Sequence, residues 1–293
     1  MPTPPAIDGV SASRLQLPPG PWTTVLEALC VRFPAVDRET WCSRFGRGRV
    51  LDADGRPLHE DATFRVGAEI HYYREMPAET RLAVEETILH VDEHLIVVDK
   101  PHFLPVIAGG GYVAETLLAR LVRRFGDIGI APLHRLDRLT AGVMLFSANP
   151  ATRARYQSLF RTHAIGKRYE AIALPLPTAA WPIERHSRLV RGDPFFLTAE
   201  VDGEPNAFTR IDAIERGPGA WRYALEPVTG RKHQLRVHMA ALGAPILNDP
   251  LYPVLAASAP DDPARPLKLL AKSLSFVDPL DGSLRTFESD LRL

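Results

Sequence analysis

Residues 134–146 read HRLDRLTAGVMLF, with an acidic residue near the centre of the stretch. Asp137 stands between Arg135 and Arg138, and an uninterrupted apolar run follows at residues 143–146. Such a run is typical of a buried strand, so the carboxylate belongs to the loop that leads into that strand. Two interpretations are open: a structural ion pair at the start of a strand, or an ionised carboxylate positioned to react.

The composition is that of an ordinary globular protein. The chain has 293 residues, 45% of them hydrophobic and 24% charged, which suits one large domain with a small one, or two of moderate size. No apolar run reaches membrane-spanning length, and the start, MPTPPAIDG, lacks the pattern of a signal peptide. The only cysteines, Cys30 and Cys42, provide neither a disulfide framework nor a cysteine-based zinc site. We therefore expect a cytoplasmic protein.

The formal net charge is zero, but the charge is unevenly distributed. Residues 120–170 contain ten basic and three acidic side chains. The basic ones are Arg120, Arg123, Arg124, Arg135, Arg138, Arg153, Arg155, Arg161, Lys167 and Arg168. A local excess of this kind favours binding to phosphates, as in a nucleic acid. The alternative is a set of helix faces that expose arginine to solvent.

The first 76 residues show helix and turn signals after an arm, residues 1–19, that we expect to be irregular. Apolar residues at helical spacing predict a helix that ends at Pro34, namely Val25, Leu26, Leu29 and Phe33. Asp37 is a suitable N-cap for a second helix, and the pair Asp54 and Gly55 predicts a hairpin turn.

Two short helices followed by a hairpin, with arginines between them, resemble the alpha-L RNA-binding module of ribosomal proteins. On that resemblance, residues 20–76 form a small N-terminal α/β RNA-binding module in which Arg44 and Arg47 contact RNA. The alternative is a generic α/β cap domain.

Residues 77–89 are polar and acidic, and we interpret them as a linker. Residues 94–101, HLIVVDKP, predict a buried strand. The glycine run at residues 109–111 precedes an amphipathic helix but lacks a phosphate-loop pattern, so we expect a flexible turn. The later chain contains several strands and few helices. The fold class is therefore α+β, without regular βαβ alternation.

Metal and nucleophile motifs are weak. His233 and His238 are five residues apart, a spacing that points their side chains in different directions on a helix or a strand. We expect no metal site, and a metal-dependent hydrolase would require ligands from distant segments. Neither a G-x-S-x-G elbow nor a cysteine beside a histidine motif is present, which leaves carboxylate chemistry at Asp137.

Three other segments fit a site built on the Asp137 loop. Lys167 and Arg168 precede Tyr169, a pattern suited to a phosphate contact and a stacked base, although an isolated tyrosine more often fills a core. Arg236 lies near the apolar face of a predicted helix that Gly243 ends, so it needs an acidic partner, for which Asp137 is our candidate. Two leucines near the C-terminus could line a pocket, namely Leu267 and Leu269.

Together these segments closely resemble the RluA-type family of RNA pseudouridine synthases. The matching stretches, in the order of the family, are DKPHFLPV, HRLDRLTAGVMLF, GKRYEAIAL, TGRKHQLRVHMAALGAPILNDPLY and LKLLAKSLSF. They span about residues 87–293. The resemblance implies a pseudouridine synthase fold over residues 90–293: a mixed, mostly antiparallel sheet with flanking helices and a catalytic cleft. It also implies an isomerase that detaches uracil, rotates it and rejoins it through carbon, without a cofactor.

The resemblance assigns roles to individual residues. Asp137 is the essential carboxylate and attacks either the base or the sugar, Tyr169 packs on the target base and is a candidate proton acceptor, and Arg236 pairs with Asp137. Arg135 would hold or displace the flipped nucleotide. Further RNA contacts are expected from Arg138, Lys167, Arg168, Arg231, Lys232 and His233. Pocket walls are expected from Leu235, Leu267 and Leu269.

The chain departs from the common family pattern at three positions. Ala141 replaces a serine, Phe103 lies in KPHFL where KPAGL is frequent, and Leu270 occupies a position that is often histidine. We expect these changes to alter the rim of the site and thus the choice of target. The predicted function is isomerisation of uridines in structured rRNA or tRNA by a monomer. The alternative is a non-catalytic RNA-binding or ribosome-assembly protein with the same fold.

Overall fold

The computed structural model describes residues 4–76, 79–257 and 260–293. The chain divides into two compact units: Met1–Arg81 with Ile107–Ile128 forms unit 1, and Leu82–Val106 with Gly129–Leu293 forms unit 2. We expected the segment Ile107–Ile128 to be part of the catalytic domain, but it belongs to unit 1. The physical reason is a set of contacts between distant parts of the chain, because the Glu79 carboxylate accepts backbone N–H bonds from residues 113–115 at 2.7–2.8 Å.

Unit 1 is a small α/β body. Its elements are β1 (Ser13–Gln16), α1 (Val25–Arg32), α2 (Arg38–Gly46), β2 (Val50–Asp52), β3 (Glu69–Tyr72) and α3 (Leu117–Phe125). The sheet has the order β1-β3-β2. The expectation of an irregular arm over residues 1–19 is wrong at β1, which pairs antiparallel with β3. Leu15 and Leu17 of this segment pack into the core of the unit, so the strand is held by apolar burial.

The two predicted helices of unit 1 are confirmed. Thr24 begins α1 in a capping box with Glu27, and the side chain of Asp37 accepts the N–H of Thr40 at the start of α2. The predicted turn is present as well, because the N–H of Gly55 donates to the carbonyl of Asp52.

Unit 2 is built on one large sheet. Its early elements are β4 (Thr87–Val91), β5 (Leu95–Lys100), β6 (Ala131–Pro132), β7 (Ala141–Ser147), α4 (Arg153–Arg161) and β8 (Ile165–Ala173). Its later elements are β9 (Ile183–Arg191), β10 (Thr198–Val201), β11 (Ala207–Arg216), β12 (Trp221–Pro227), α5 (Gln234–Ala241), β13 (Leu269–Val277) and β14 (Leu284–Glu288). The eleven strands run in the order β10-β9-β11-β12-β8-β13-β7-β5-β4, with β14 on β13 and β6 on β7.

The pairing of this sheet agrees with the α+β expectation. Each pairing between neighbouring strands is antiparallel except that of β13 with β7, within the part of the chain that the structure describes. The predicted buried strand is confirmed, since every residue of β5 is buried, as is every residue of β7. The linker expected over residues 77–89 overlaps a strand, because β4 begins at Thr87 and pairs with β5.

One glycine makes the parallel pairing possible. Gly142 has a φ of +116°, and a Cβ placed there would lie 2.2 Å from the carbonyl oxygen of Ala271 on β13. Only a residue without a side chain fits such a close backbone approach. Gly142 therefore fixes the place where the Asp137 loop joins the sheet.

Helix α5 packs its apolar face on this sheet. Leu235 and Met239 lie in one core cluster with Leu267, Leu269 and Tyr223. Gly243 follows the helix with a φ of +81°, as expected of the residue that ends it. Across the three described ranges, no helix is both long and apolar enough to span a bilayer.

Candidate active site

The loop that presents Asp137 connects β6 to β7 and is held by two side chains, one from the last residue of β5 and one from the segment that follows it. The ammonium of Lys100 donates to the carbonyl of Arg138 at 3.2 Å. The Nδ1 of His102 lies 2.6 Å from the carbonyl of Leu139, so we assign the proton of the ring to Nδ1. Both carbonyls directly follow Asp137 in the chain, and the carboxylate is therefore mounted on a fixed backbone.

Lys100 is fully buried in this arrangement. Its Nζ also donates to the carbonyls of Pro101 at 3.0 Å and Leu104 at 2.9 Å, so three carbonyl oxygens surround it. Burial lowers the pKa of Lys100 to about 7, an effect that the negative charge of Asp137 partly opposes. The side chain thus ties three backbone segments together beneath the loop.

His134 anchors the start of the same loop. Its Nε2 accepts the backbone N–H of Leu145 at 3.0 Å, and its ring stacks on Phe160 with the centroids 4.8 Å apart. Burial lowers the pKa of His134 to about 3, so the ring is neutral at physiological pH. His134 therefore has a positioning contact with β7.

Arg236 projects from α5 toward two carboxylates. Its guanidinium forms a two-pronged pair with Asp249, at 2.7 Å and 2.6 Å, and reaches Asp137 with one contact at 3.4 Å. The side chains of Arg236 and Asp249 are 2% and 0% exposed, whereas that of Asp137 is 20% exposed. Burial alone would lower the pKa of Arg236, but the bonds to Asp249 and the charges of both carboxylates raise it. The expected pair with Asp137 exists, yet the main partner is Asp249.

A second chain of contacts reaches Asp137 through His233. The Nε2 of His233 lies 3.7 Å from the carboxylate, and Nδ1 lies 2.8 Å from the hydroxyl of Tyr252. The Tyr252 oxygen already accepts the N–H of Thr198, so we assign its own proton to Nδ1 of His233. Burial lowers the pKa of His233 to about 4, and the neutral ring then carries its proton on Nε2, toward Asp137.

Strand β8 supplies the opposite wall through its alternating side chains. Lys167 and Tyr169 lie on one face and line the cavity, and Arg168 points away on the other face. Lys167 donates to the carbonyls of Val228 at 3.2 Å and Thr229 at 2.9 Å. Burial and the charge of Asp137 raise the pKa of Tyr169, which is therefore a neutral phenol.

These elements enclose a cavity of about 540 Å³. Its charged lining residues are Asp137, Arg135, Lys167, Arg231, Lys232 and Arg236. The apolar and neutral lining includes Leu133, Leu136, Phe160, Tyr169, Leu235 and Leu269. Among the described lining residues, one carboxylate thus faces an excess of positive charge, and two aromatic rings and several leucines complete the wall.

Several residues predicted for the site lie elsewhere. Leu267 is part of the core and does not line the cavity. Arg138 pairs with Asp261 in two contacts and is also absent from the lining, as is Arg168. His233 is buried against the carboxylate, not exposed toward solvent, because its backbone takes the left-handed conformation before α5. Of the three predicted RNA contacts Arg138, Arg168 and His233, only His233 lines this cavity.

The two arginines singled out in the N-terminal module are engaged with Glu75. Arg44 is buried, 5% exposed, stacks over Trp41 and donates to the carbonyl of Glu75. Arg47 is half exposed and forms a two-pronged pair with the carboxylate of Glu75 at 2.8 Å and 2.7 Å. The expectation that Arg44 contacts RNA is wrong in this respect, since its side chain is inside unit 1.

The basic segment 120–170 is also divided, because Arg120, Arg123 and Arg124 belong to unit 1.

The three departures from the family pattern do not lie at the rim. Ala141, Phe103 and Leu270 are all buried, at 0%, 9% and 1% exposure, and none lines the cavity. The expectation that they shape the rim is therefore wrong. His102, which also lies in the KPHFL stretch, does touch the site, because its ring bonds to the carbonyl of Leu139 in the Asp137 loop.

No group of three or more His, Cys, Asp or Glu side chains is placed to hold a metal ion within residues 4–76, 79–257 and 260–293.

Asp249 is the residue that sequence reasoning missed. A buried arginine on α5 signals a need for negative charge, and NDP at residues 248–250 offers an acid just after the helix. That signal was available but did not distinguish Asp249 from Asp137. Tyr252 and Lys100 carry no comparable signal, because their roles depend on the folded backbone of the loops.

On a mixed, antiparallel-rich sheet, a cavity whose described lining holds several cations around one carboxylate indicates a protein that binds a negatively charged ligand. Residues 94–241 match the family described as RNA pseudouridylate synthase, about half of the chain. A protein of Synechocystis named uncharacterized RNA pseudouridine synthase is 30% identical over 235 residues, covering 78% of this chain and 79% of that protein. The chain therefore belongs to the RNA pseudouridylate synthase family and is of the RluA type.

Other relatives agree. The ribosomal large subunit pseudouridine synthase D of Pseudomonas aeruginosa is 31% identical, covering 75% of this chain and 70% of that protein. The dual-specificity RNA pseudouridine synthase RluA of Haemophilus influenzae is 32% identical, covering 69% and 91%. The solved structure of human RNA pseudouridylate synthase domain containing 4 is 26% identical with a TM-score of 0.55, covering 70% of this chain and 88% of that chain. The chain is accordingly an isomerase that acts on RNA.

Proposed function

We propose that the enzyme isomerises specific uridines in structured rRNA or tRNA, with Asp137 as the reacting carboxylate. The observation that carries this proposal is the setting of Asp137. Among the described residues it is the one carboxylate in the cavity lining, it is partly exposed, and a buried guanidinium lies 3.4 Å from it. A reacting carboxylate needs its charge and needs access to the substrate, and this arrangement supplies both.

The target nucleotide must leave the RNA helix, because the chemistry involves both the base and its bond to the sugar. A cavity of about 540 Å³ is within the size range of small-molecule sites and suits a single flipped nucleotide. Unstacking costs a few kcal/mol, which contacts inside the pocket offset. Tyr169 and Leu269 provide apolar surface for the base.

The cations of the lining have two proposed tasks. Arg135, Arg231 and Lys232 are exposed and bind the phosphates on either side of the target uridine. Arg236 is buried and stays with the enzyme, where it offsets the charge of Asp137 in the resting state and keeps it oriented. Because Asp249 holds Arg236 with two bonds, the position of the guanidinium does not depend on Asp137.

Tyr169 is proposed to pack on the target base. Its neutral phenol offers a ring face and an O–H group, and its raised pKa disfavours a phenolate in the free enzyme. A neutral phenol is a poor proton acceptor, so this state of Tyr169 supports the packing role and not the role of proton acceptor that the family resemblance implies.

The substrate class is proposed from the names of the relatives. Two of them are a ribosomal large subunit pseudouridine synthase and a dual-specificity RNA pseudouridine synthase. Pseudouridine mapping of total RNA, from cells with and without the gene, tests the reaction and identifies the target. We expect one or more rRNA or tRNA positions to lose pseudouridine without the gene and to regain it with a wild-type copy but not with Asp137→Asn. Identical maps with and without the gene would contradict the proposal.

We further propose that residues 20–76 add RNA affinity, and that the enzyme works as a monomer in the cytoplasm. Arg47 is half exposed and can reach phosphate from its pair with Glu75. Both cysteines are free, as in a reducing compartment. Arg47→Ala should weaken RNA binding without changing the fold, and light scattering at working concentration should give the mass of one chain.

A further inference from the structure

The turn between β9 and β10 carries two aromatic rings on its surface. Phe195 is 67% exposed and Phe196 is 38% exposed. Within the described ranges, they are the only aromatic side chains among the large hydrophobic residues that the surface exposes. Their rings meet edge to face, with the centroids 5.8 Å apart. A pair of exposed rings has a hydration cost and marks a contact surface.

The base of this turn is rigid. The N–H of Gly192 donates to the carbonyl of Leu197, and the N–H of Leu197 donates to the carbonyl of Pro194. Leu197 packs into a core cluster that includes Val237 of α5 and Tyr252. The rings are therefore displayed by a fixed scaffold, which lowers the entropy lost when a ligand binds to them.

The same scaffold is connected to the carboxylate of the active site. Thr198, the first residue of β10, donates its N–H to Tyr252 at 2.7 Å. Tyr252 bonds to His233 at 2.8 Å, and His233 lies 3.7 Å from Asp137. Only Tyr252 and His233 thus lie between Thr198 and Asp137 in this series of contacts. Phe195 and Phe196 precede Thr198 by three and two residues.

The charge around the rings suits a polyanion. The guanidinium of Arg191 lies over the ring of Phe195, 5.4 Å from its centroid. Its positive charge is among those that lower the pKa of Lys232, after burial, so it contributes to the field at the cavity wall. Residues 188–197 contain Arg188 and Arg191 against the single acid Asp193. In the part of the chain that the structure describes, no carboxylate forms an ion pair with Arg191.

We propose that Arg191, Phe195 and Phe196, here called the aromatic tip, stack on an unpaired base of the substrate RNA next to the target uridine. The inference rests on the proposed function and extends it to a second subsite. Aromatic rings beside a cation are the usual elements of a site for single-stranded nucleic acid. Flipping a uridine leaves its neighbours partly unstacked, and a ring can take the place of the lost base.

The test uses the full-length protein and a short fluorescein-labelled oligouridylate, with binding followed by anisotropy. Four variants are compared with wild type. They are Phe195→Ala/Phe196→Ala, Phe195→Leu/Phe196→Leu, Phe195→Trp/Phe196→Trp and the control Leu284→Ala, which removes an apolar side chain that is 75% exposed on β14. Circular dichroism of each variant checks that the fold is retained.

We expect the alanine pair to weaken binding by about fivefold to a hundredfold, the range for loss of one stacked base. The leucine pair should bind as weakly as the alanine pair, since it keeps apolar bulk without a ring. The tryptophan pair should bind at least as tightly as wild type, and Leu284→Ala should leave binding unchanged. An alanine pair with wild-type affinity, or a leucine pair that binds fully, would overturn the proposal.

Two further readouts separate this proposal from its alternatives. If the alanine pair changes the sedimentation of the protein and leaves RNA affinity unchanged, the aromatic tip is a protein interface and the proposal is wrong. Pseudouridine formation by wild type is measured in parallel on RNA from cells that lack the gene. If RNA affinity depends on Phe195 and Phe196 but wild type forms no pseudouridine, the proposed function alone is refuted. If wild type forms pseudouridine but RNA affinity does not depend on these rings, the aromatic tip alone is refuted.

Discussion

Asp249→Ala should cost much more stability than Asp137→Ala, although both remove a carboxylate from Arg236. The side chains of Asp249 and Arg236 are 0% and 2% exposed and share bonds of 2.7 Å and 2.6 Å. Removing one partner of such a pair leaves the other charge buried, at about 3–5 kcal/mol. Asp137 is 20% exposed and offers one contact of 3.4 Å, so its removal should cost at most about 1 kcal/mol.

Urea unfolding followed by tryptophan fluorescence measures this difference, because Trp221 lies in the same core cluster as α5. Pseudouridine formation is measured on the same preparations. Asp137→Ala should be inactive although it is still folded. The combined variant leaves the buried guanidinium with neither carboxylate, so it should lose more than the sum of the two separate stability changes. Equal destabilisation by the two single substitutions, or a larger loss for Asp137→Ala, would refute this division between structure and chemistry.

Three other changes have defined outcomes. Gly142→Ala should destabilise unit 2 by on the order of 3 kcal/mol and reduce activity, because its Cβ would lie 2.2 Å from a backbone oxygen. Urea unfolding measures the loss, and the control Gly219→Ala, which has open space around it, should be nearly neutral. Burial lowers the pKa of His238 to about 4, so this group alone should remove on the order of 3 kcal/mol from the free energy of unfolding as the pH drops from about 6.5 to about 4. His134 and His233, whose pKa values are lowered as well, add to the same loss. His238→Asn should therefore reduce the slope of the profile by its own share, whereas the exposed control His59→Asn should leave the slope as it is. Tyr169→Phe keeps the ring, so RNA affinity should be retained. If the hydroxyl takes part in proton transfer, pseudouridine formation should fall about a hundredfold or more. Full activity would limit Tyr169 to packing on the target base.

The strands that carry the site could be predicted from the sequence, since apolar runs at β5 and β7 are strong local signals. The position of Asp137 in a loop before β7 followed directly. The pairing of Arg236 with an acid was also predictable, because a charge on a buried helix face requires one. The choice between Asp137 and Asp249 was not, since it depends on the path of the chain after α5.

The side chains that reach the cavity were predictable in part. On a strand, Lys167 and Tyr169 share a face and Arg168 occupies the other, so alternation alone predicts that Lys167 and Tyr169 line a cavity together and that Arg168 does not. Alternation does not separate Leu267 from Leu269, which lie in the same core cluster, and only Leu269 also lines the cavity. Arg44 was expected to contact RNA because of the resemblance to the alpha-L module, but its guanidinium lies over the ring of Trp41.

The boundary between the two units could not be read along the chain. Residues 107–128 interrupt unit 2 in sequence but pack with unit 1, held by contacts such as the bond from Arg123 to the carbonyl of Asp8. Sequence patterns report local structure and carry no record of such distant contacts. The short strand β1 was missed for a related reason, because its partner β3 lies more than fifty residues away.

The most direct test of the central claim is a comparison of wild type and Asp137→Asn, purified, on RNA isolated from cells that lack the gene. Pseudouridine is quantified at the positions that wild type modifies, and RNA affinity is measured in parallel by filter binding. We predict that Asp137→Asn binds the RNA with nearly wild-type affinity and forms no pseudouridine. Formation of pseudouridine by Asp137→Asn at the wild-type rate would contradict the claim that this carboxylate carries the reaction.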